Sequence, residues 1–319
     1  MKIPRKLSLA NIPTPIQKLE YNKCKFLIKR DDYTGLELSG NKIRKLEYLL
    51  YDAKSKNCDY VFTCGGDQSN HCRATVYACN RLGLKSKIYL WGRQSKKYSG
   101  NLLLNKLAGA ETRFLKLSDY KNVDDLMQSD ALKLQSAGKK VYIVPTGGSN
   151  PLGIWGYINF VEELKSQISS KEFNGICCAN GSGGTIAGIL LGMALSGINS
   201  KVFGVNVFGR AEEMKVKIIE IVEECIKNYN LHVNVNFSNL ELLDGYSEEG
   251  YKNISMDKIE LIKDFVQNAG IMLDNTYTGK AFFAYNENFL KGKTKSNILF
   301  LHTGGLFGIF AKAEKFLSH

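Results

Sequence analysis

The chemistry of this chain rests on one lysine at the head of an amphipathic segment, a loop of amide and serine residues, and a distant loop of glycines and hydroxyls. In Leu38-Ser39-Gly40-Asn41-Lys42-Ile43-Arg44-Lys45-Leu46-Glu47-Tyr48-Leu49-Leu50, the residues Ile43, Leu46, Leu49 and Leu50 recur at helical spacing, so a helix starts near Lys42. Ser39, Gly40 and Asn41 are of the types that cap a helix start. Lys42 then sits in the first turn, where unpaired amide donors create a positive potential. Such a potential disfavours the ammonium form and lowers the amine's pKa, which suits a nucleophile. Taken alone, the stretch reads better as a solvated basic face shared with Arg44 and Lys45. The rest of the chain reverses that preference and leaves Arg44 and Lys45 as surface or structural charges.

Asn180-Gly181-Ser182-Gly183-Gly184-Thr185 follows the short apolar run Ile176–Ala179 and leads into a helix from Ile186 to Leu195. Its glycines allow close approach, amides at the helix start can cradle a phosphate, and Ser182 and Thr185 add hydroxyls. No lysine follows the last glycine and the GxGxxG pattern is absent, so this is not a nucleotide loop. A tight strand-to-helix turn would explain the glycines equally well. Gln68-Ser69-Asn70 opens another helix after a strand and would suit a carboxylate, although a plain N-cap by Ser69 looks the same. Thr303 ends the last strand, where its hydroxyl could meet a ring nitrogen. Tyr251 and Tyr277 lie near glycines and read more as packing groups, and His71 and Cys72 as parts of a helix. A phosphate cradle, a carboxylate site and an activated lysine together describe pyridoxal 5'-phosphate chemistry on a small amino-acid substrate, with the lysine holding the cofactor and its ring serving as electron sink. No GxSxG elbow supports a serine hydrolase.

These residues need an α/β frame, and the chain provides one. Its 319 residues, 44% hydrophobic, can bury a large core in two domains, and a charged fraction of 23% with five prolines fits a globular chain. The net charge of +12 is scattered along the length without a dense basic tract, which argues against nucleic acid. Eight cysteines without a CxxC pair read as free thiols in a reducing cytoplasm, and four histidines lack metal-ligand spacing. No apolar run has membrane-spanning length and no signal core is visible at the start. Strands are expected at Lys25–Ile28, Tyr60–Cys64, Lys87–Trp91, Thr112–Leu115, Val141–Val144, Ile176–Ala179, Val202–Val207 and Asn297–Leu301. Helices are expected between them at 100–108, 122–137, Ala211–Lys227 and Met256–Asn268. That alternation means mainly parallel sheets, with ligands at the strand carboxyl ends.

Several segments resemble the family of D-cysteine desulfhydrases and 1-aminocyclopropane-1-carboxylate deaminases: Lys29-Arg30-Asp31-Asp32, Ser39–Lys42 with Arg44–Glu47, Gln68–His71, Pro145–Asn150, Leu152-Gly153 with Gly156-Tyr157, Tyr277–Lys280 and His302–Gly305. The likeness runs through nearly the whole chain in the family's order. It implies the tryptophan-synthase-β-like fold, fold type II of the pyridoxal phosphate enzymes: two three-layer α/β domains with mainly parallel sheets. A small domain at 45–152 would be inserted into a large cofactor-binding domain of 1–44 and 153–319, and the resemblance suggests a homodimer. It implies that Lys42 binds the cofactor covalently, that Asn70 contacts the ring's phenolic oxygen, and that Gly181, Ser182, Gly183, Gly184 and Thr185 hold the phosphate. Ser69, with Gln68 and Asn70, would meet the substrate carboxylate, Tyr251 and Tyr277 would flank the substrate, Thr278 would border it, and Thr303 would face the pyridine nitrogen. Cyclopropane deaminases typically carry glutamate at the position of Thr278 and leucine at that of Thr303. The two threonines therefore point to β-elimination of D-cysteine to pyruvate, hydrogen sulfide and ammonia. The alternatives are the cyclopropane deaminase, an L-cysteate sulfo-lyase and a non-catalytic cofactor-binding regulator. Asp274-Asn275-Thr276-Tyr277 departs from the family's aspartate-proline-valine-tyrosine, and Gly250–Asn253 lacks the glycine and proline that often follow.

Overall fold

The structure, a computed structural model, describes residues 2–92, 94 and 98–317. Its strands are β1 (Ile16–Tyr21), β2 (Cys24–Arg30), β3 (Tyr60–Gly66), β4 (Lys85–Trp91), β5 (Glu111–Leu115), β6 (Val141–Ile143), β7 (Gly175–Asn180), β8 (Lys201–Asn206), β9 (Leu240–Leu243) and β10 (Ile298–His302). The helices are α1 (Lys42–Ser55), α2 (Asn70–Arg81), α3 (Gly100–Leu107), α4 (Leu117–Tyr120), α5 (Val123–Ser136), α6 (Trp155–Gln167), α7 (Gly184–Leu195), α8 (Ala211–Tyr229), α9 (Met256–Ala269), α10 (Thr278–Tyr285) and α11 (Ala313–Leu317). One sheet has six strands in the order β1-β2-β10-β7-β8-β9, and the other has four in the order β5-β4-β3-β6. Every pairing between neighbours is parallel except the antiparallel β1–β2 hairpin. This is the α/β architecture of the type II pyridoxal phosphate enzymes.

Each expected strand and helix is present with its ends moved by a few residues, whereas β1, β9, α4, α6, α10 and α11 are additions. The two added strands lie at the outer edges of the six-stranded sheet. Ile-Gln-Lys-Leu-Glu-Tyr in β1 is half polar because only part of an edge strand is covered, so it lacks the apolar run of the central strands. Helix α6 is buried through Trp155, Tyr157, Phe160, Val161 and Leu164 in the core that also takes in α7. Their contact is close because Gly188 carries no side chain: a Cβ there would lie 2.5 Å from both the Ile154 carbonyl oxygen and the Tyr157 Cβ. Ile186, Ile189 and Leu191 of α7 are fully buried, each contributing roughly 1.5–3 kcal/mol to stability. That packing fixes the amino end of α7, where the glycine loop arrives from β7. The six-stranded sheet's other face packs against a second core built around Phe265, Phe282, Tyr285 and Phe300. Helix α1 packs through Ile43, Leu46, Leu49 and Leu50 into a core shared with α2 and β3. The first turn of α1 is thereby held between the ends of the two sheets. No described helix is long and apolar enough to cross a membrane.

Candidate active site

Lys42 opens α1 and faces a cavity walled by Asn70, the Gly181–Gly183 backbone, Thr185, Tyr277 and Thr303. A second, adjoining cavity shares Lys42, Gly181, Ser182 and Tyr277, and adds Ser69, Tyr251 and a wall of Cys64, Trp91, Tyr120 and Phe208. Residues from the loops after β3, β7 and β10, together with α1, thus converge at strand carboxyl ends. Among the described residues Lys42 makes no hydrogen bond and no ion pair. Burial pushes its ammonium down to about 8, opposed only weakly by the Cys178 thiol. Desolvation is the largest cause of that lowering. The preceding residues do not cap α1: Asn41 is itself helical and makes no cap bond with its side chain, and its Nδ2 donates instead to Thr185 Oγ1 (2.9 Å). The lysine helix and the glycine loop are joined by that bond.

The loop after β7 forms the expected cradle. Gly183 sits at φ +85°, which an L side chain rarely adopts, and turns the chain into α7. Ser182 Oγ lies 2.8 Å from Ser149 Oγ, and Ser149 Oγ accepts the Gly184 amide at 3.2 Å. Gly184 is thus committed to Ser149 and is absent from the cavity wall, while Gly181, Ser182, Gly183 and Thr185 line it. Behind them stands Lys45, whose Nζ donates to Ser149 Oγ at 3.2 Å. Lys45 is fully buried and no carboxylate pairs with it among the described residues; burial, then repulsion from Lys42 and Lys217, holds its pKa well below the ordinary value.

Of the two options left open from sequence, Arg44 and Lys45 are structural rather than surface charges, since neither lies on a solvated face. Arg44 is 2% exposed and donates from Nε and Nη2 to Asp31 (both 2.8 Å) and from Nη1 to Glu163 (2.7 Å). Asp31 also accepts from Thr14 Oγ1 (2.9 Å) and the Tyr157 hydroxyl (2.6 Å), and Lys29 pairs with Glu163 at 2.5 Å. Paired cations hold the Glu163 carboxyl down at about 2 against the opposing effect of burial. This network fastens α1 to β2 and α6.

Ser69 caps α2 by accepting from the Cys72 amide at 3.1 Å and also lines the adjoining cavity. Asn70 lines the Lys42 cavity, with its Oδ1 accepting from Asn101 Nδ2 at 2.8 Å. Gln68 is turned away: its side chain accepts from the Asn101 amide (2.9 Å) and donates to the Ser99 carbonyl (3.2 Å). Tyr251 and Tyr277 hydrogen-bond to each other through their hydroxyls, with ring centroids 5.7 Å apart and nearly perpendicular, so they are cavity residues as well as packing groups. Burial raises both phenols above their ordinary value, chiefly by desolvation. Thr303 lines the Lys42 cavity and its carbonyl accepts the Asn41 amide at 3.1 Å. Thr278 does not reach either wall. It is fully buried, and its hydroxyl donates to Asp274 Oδ1 (2.7 Å) and accepts the Asp274 amide (2.8 Å).

Sequence reasoning gave no role to Trp91, Cys64, Tyr120, Phe208 or Ser149, and placed His71 in its helix alone, although His71 is both helical and in the cavity wall. The signal for Ser149 was present in the Pro145–Asn150 segment, which also supplies Gly147. A Cβ on Gly147 would collide with Ser182 Oγ and lie 3.3 Å from Lys42 Nζ.

The residues present fit a pyridoxal phosphate. A glycine cradle with two hydroxyls faces the cavity, a buried lysine stands one hydroxyl behind it with no carboxylate partner among the described residues, and a lysine of lowered pKa has no partner among those residues. Fold and site together define a type II pyridoxal phosphate enzyme. The chain belongs to the pyridoxal-phosphate dependent enzyme family, whose pattern matches residues 7–304, and within it to the group of D-cysteine desulfhydrases and 1-aminocyclopropane-1-carboxylate deaminases. A Thermotoga maritima protein provisionally named 1-aminocyclopropane-1-carboxylate deaminase is 41% identical over 97% of this chain and 99% of its own. A mitochondrial bifunctional D-cysteine desulfhydrase/1-aminocyclopropane-1-carboxylate deaminase of Arabidopsis thaliana is 38% identical over 98% of this chain and 80% of its own. The crystal structure of an ACC deaminase homologue superposes with a TM-score of 0.91 at 38% identity, covering 99% of this chain and 96% of that one. The enzyme is pyridoxal phosphate dependent.

Proposed function

We propose that the chain catalyses β-elimination of D-cysteine to pyruvate, hydrogen sulfide and ammonia. The observation that carries this reading is that, among the described residues, neither cavity around Lys42 is lined by an aspartate or glutamate. Bound in this site, the cofactor supplies an electron sink for charge developing at the substrate α-carbon. Thr303 lines the Lys42 cavity, and if it faced the ring nitrogen, as the resemblance implies, it would offer a neutral hydroxyl and so a modest sink. A modest sink suffices to expel hydrosulfide from the β-carbon and is poorly suited to opening a cyclopropane ring. The Thr278 comparison carries less weight, because that hydroxyl is committed to Asp274.

In this reading the small amide and serine loop binds the substrate carboxylate, with Ser69 and Asn70 at the cavity. Lys42 holds the cofactor and, once released, its amine takes the proton from the substrate α-carbon. The paired hydroxyls of Tyr251 and Tyr277 border the departing sulfur. The carbon–sulfur bond breaks with its electron pair on hydrosulfide, and water then converts 2-aminoacrylate to pyruvate and ammonia. The proposal includes a small domain at 45–152, a homodimer, and a reducing cytoplasm for the eight free thiols. Purified enzyme with added cofactor, assayed in parallel on D-cysteine, L-cysteine, L-cysteate and 1-aminocyclopropane-1-carboxylate, tests it. Equal amounts of sulfide and pyruvate from D-cysteine are expected. Turnover of the cyclopropane substrate to 2-oxobutanoate with D-cysteine inert, sulfite from L-cysteate as the main product, or cofactor binding with no turnover would each overturn it.

A further inference from the structure

The loop at 249–253 carries Tyr251 to the substrate cavity, and charged residues fasten it on two sides. On one side stand α9 and α10, which pack against the six-stranded sheet. There Lys280 of α10 is fully buried and donates from Nζ to the Gly250 carbonyl at 2.8 Å. Glu249 pairs with Lys280 at 3.4 Å and with Lys258 of α9 at 3.1 Å. On the other side lie the carboxyl ends of β3 and β4, in the four-stranded sheet. Lys252 Nζ pairs with Asp67 Oδ1, just beyond β3, at 2.8 Å and sits 3.9 Å from the centre of the Trp91 ring at the end of β4. Gly92 leaves room for that pair: its φ is +144°, and a Cβ there would lie 3.3 Å from both Asp67 Oδ2 and Lys252 Nζ.

We propose that Lys252 is a positioning residue for the reaction at Lys42: through Asp67 and Trp91 it ties the Tyr251 loop across the substrate cavity to the four-stranded sheet. The proposal rests on the reading of that cavity as the place where the substrate is held, and not on D-cysteine as the substrate. Among the described residues lining the cavity neither Lys252 nor Asp67 appears, so the cation acts through what it touches. Trp91 and Tyr251 both line the cavity, with ring centroids 5.8 Å apart. Phe208 meets Tyr251 edge-on at 5.5 Å, and the Tyr277 hydroxyl bonds to that of Tyr251. Tyr251 is thus the ring at which parts built on both sheets meet. Ring contacts alone let such a side chain tilt, whereas an ammonium held between a carboxylate and a ring face sets the spacing of the two sides. The pair is about 30% exposed, so its loss changes the fold's stability little. A weak tie is enough, because an exposed ion pair and a cation over a ring each bias an equilibrium by up to about fivefold. Any fall in the population of the competent arrangement lowers apparent affinity by the same factor.

The test compares kcat/KM of the holoenzyme with that of Lys252→Met, Lys252→Arg, Asp67→Asn and the Lys252→Met/Asp67→Asn double variant. The substrate is whichever of the four assayed amino acids the parent turns over. Lys252→Met is expected to lose about fivefold or more, and Lys252→Arg, which keeps the charge and can lie on the ring, to stay within about twofold of the parent. The double variant should be no worse than Lys252→Met alone. Bound-cofactor absorbance is expected to be retained and Tm to stay within about 2 °C of the parent, which separates positioning from damage to the fold. A Lys252→Met enzyme within twofold of the parent, a loss that Lys252→Arg does not restore, or losses that multiply in the double variant would each overturn the proposal. A parent that turns over none of the four would remove this proposal together with the reading beneath it. A parent active on any of them with Lys252→Met unaffected would overturn this proposal alone.

Discussion

Replacing Lys45 by methionine separates the cost of its charge to the empty protein from its value to the loaded one. Lys45 is fully buried, its side chain hydrogen-bonds only to Ser149 Oγ among the described residues, and Lys42 and Lys217 repel its charge. In the cofactor-free protein an apolar side chain of similar volume should be more stable by about 1–4 kcal/mol, the range seen when buried charges are replaced. For a chain of 319 residues, 1 kcal/mol corresponds to about 1.5 °C in Tm at roughly 2.1 cal/mol/K per residue, so the empty variant should melt about 2–6 °C higher. Loading the cradle reverses the sign. The ammonium acts on the phosphate site through Ser149, which also holds the Gly184 amide and Ser182 Oγ. Losing a charge-assisted interaction of about 1.5–3 kcal/mol should weaken cofactor binding roughly 10- to 150-fold. Thermal melts of both proteins with and without cofactor, and absorbance titration of the empty proteins, measure the two effects. A lower Tm for the empty variant together with unchanged cofactor affinity would refute the reasoning and make Lys45 a structural tether of Ser149.

Two further outcomes follow from the buried charges. Arg44→Met strands Asp31 and the Glu163 end of the network, and should cost about 3–5 kcal/mol, or about 5–8 °C in Tm; a melt within a degree of the parent would show the network contributes little. Because burial lowers the Lys42 ammonium to about 8, the empty folded protein binds fewer protons than the unfolded chain between about 8 and 10.5. Its stability contribution is therefore most unfavourable below pH 8 and is relieved as pH rises through that window. Denaturant midpoints of the empty protein across it should rise more steeply than those of Lys42→Met; parallel curves would contradict the assignment.

The alternation of strands and helices was legible because central parallel strands, such as Tyr60–Gly66 and Gly175–Asn180, are continuous apolar runs ended by glycine or amide residues. Edge strands are covered on fewer sides and carry mixed residues, which is why Ile16–Tyr21 and Leu240–Leu243 escaped notice. Lys42 and the Gly181–Thr185 loop could be read because helix-start and glycine patterns are local. The burial of Arg44 and Lys45 could not, because it depends on partners distant in sequence: Glu163 lies 119 residues from Arg44, and Ser149 lies 104 from Lys45. Thr278 was misplaced for a related reason, since a hydroxyl beside a tyrosine gives no hint that the nearby Asp274 carboxylate already claims it. The walls formed by Trp91, Tyr120 and Phe208 come from the end of β4, the end of α4 and the loop after β8, and aromatic residues in a sequence do not reveal which cavity they will face.

The central claim is that Lys42, and no other lysine, carries the cofactor. Borohydride reduction of the holoenzyme followed by digestion and mass spectrometry tests it most directly, because Lys42 and Lys45 lie three positions apart and fragment ions resolve them. The account predicts the cofactor's added mass on Lys42 with Lys45 unmodified. Modification of Lys45, of a lysine elsewhere, or of none would contradict it.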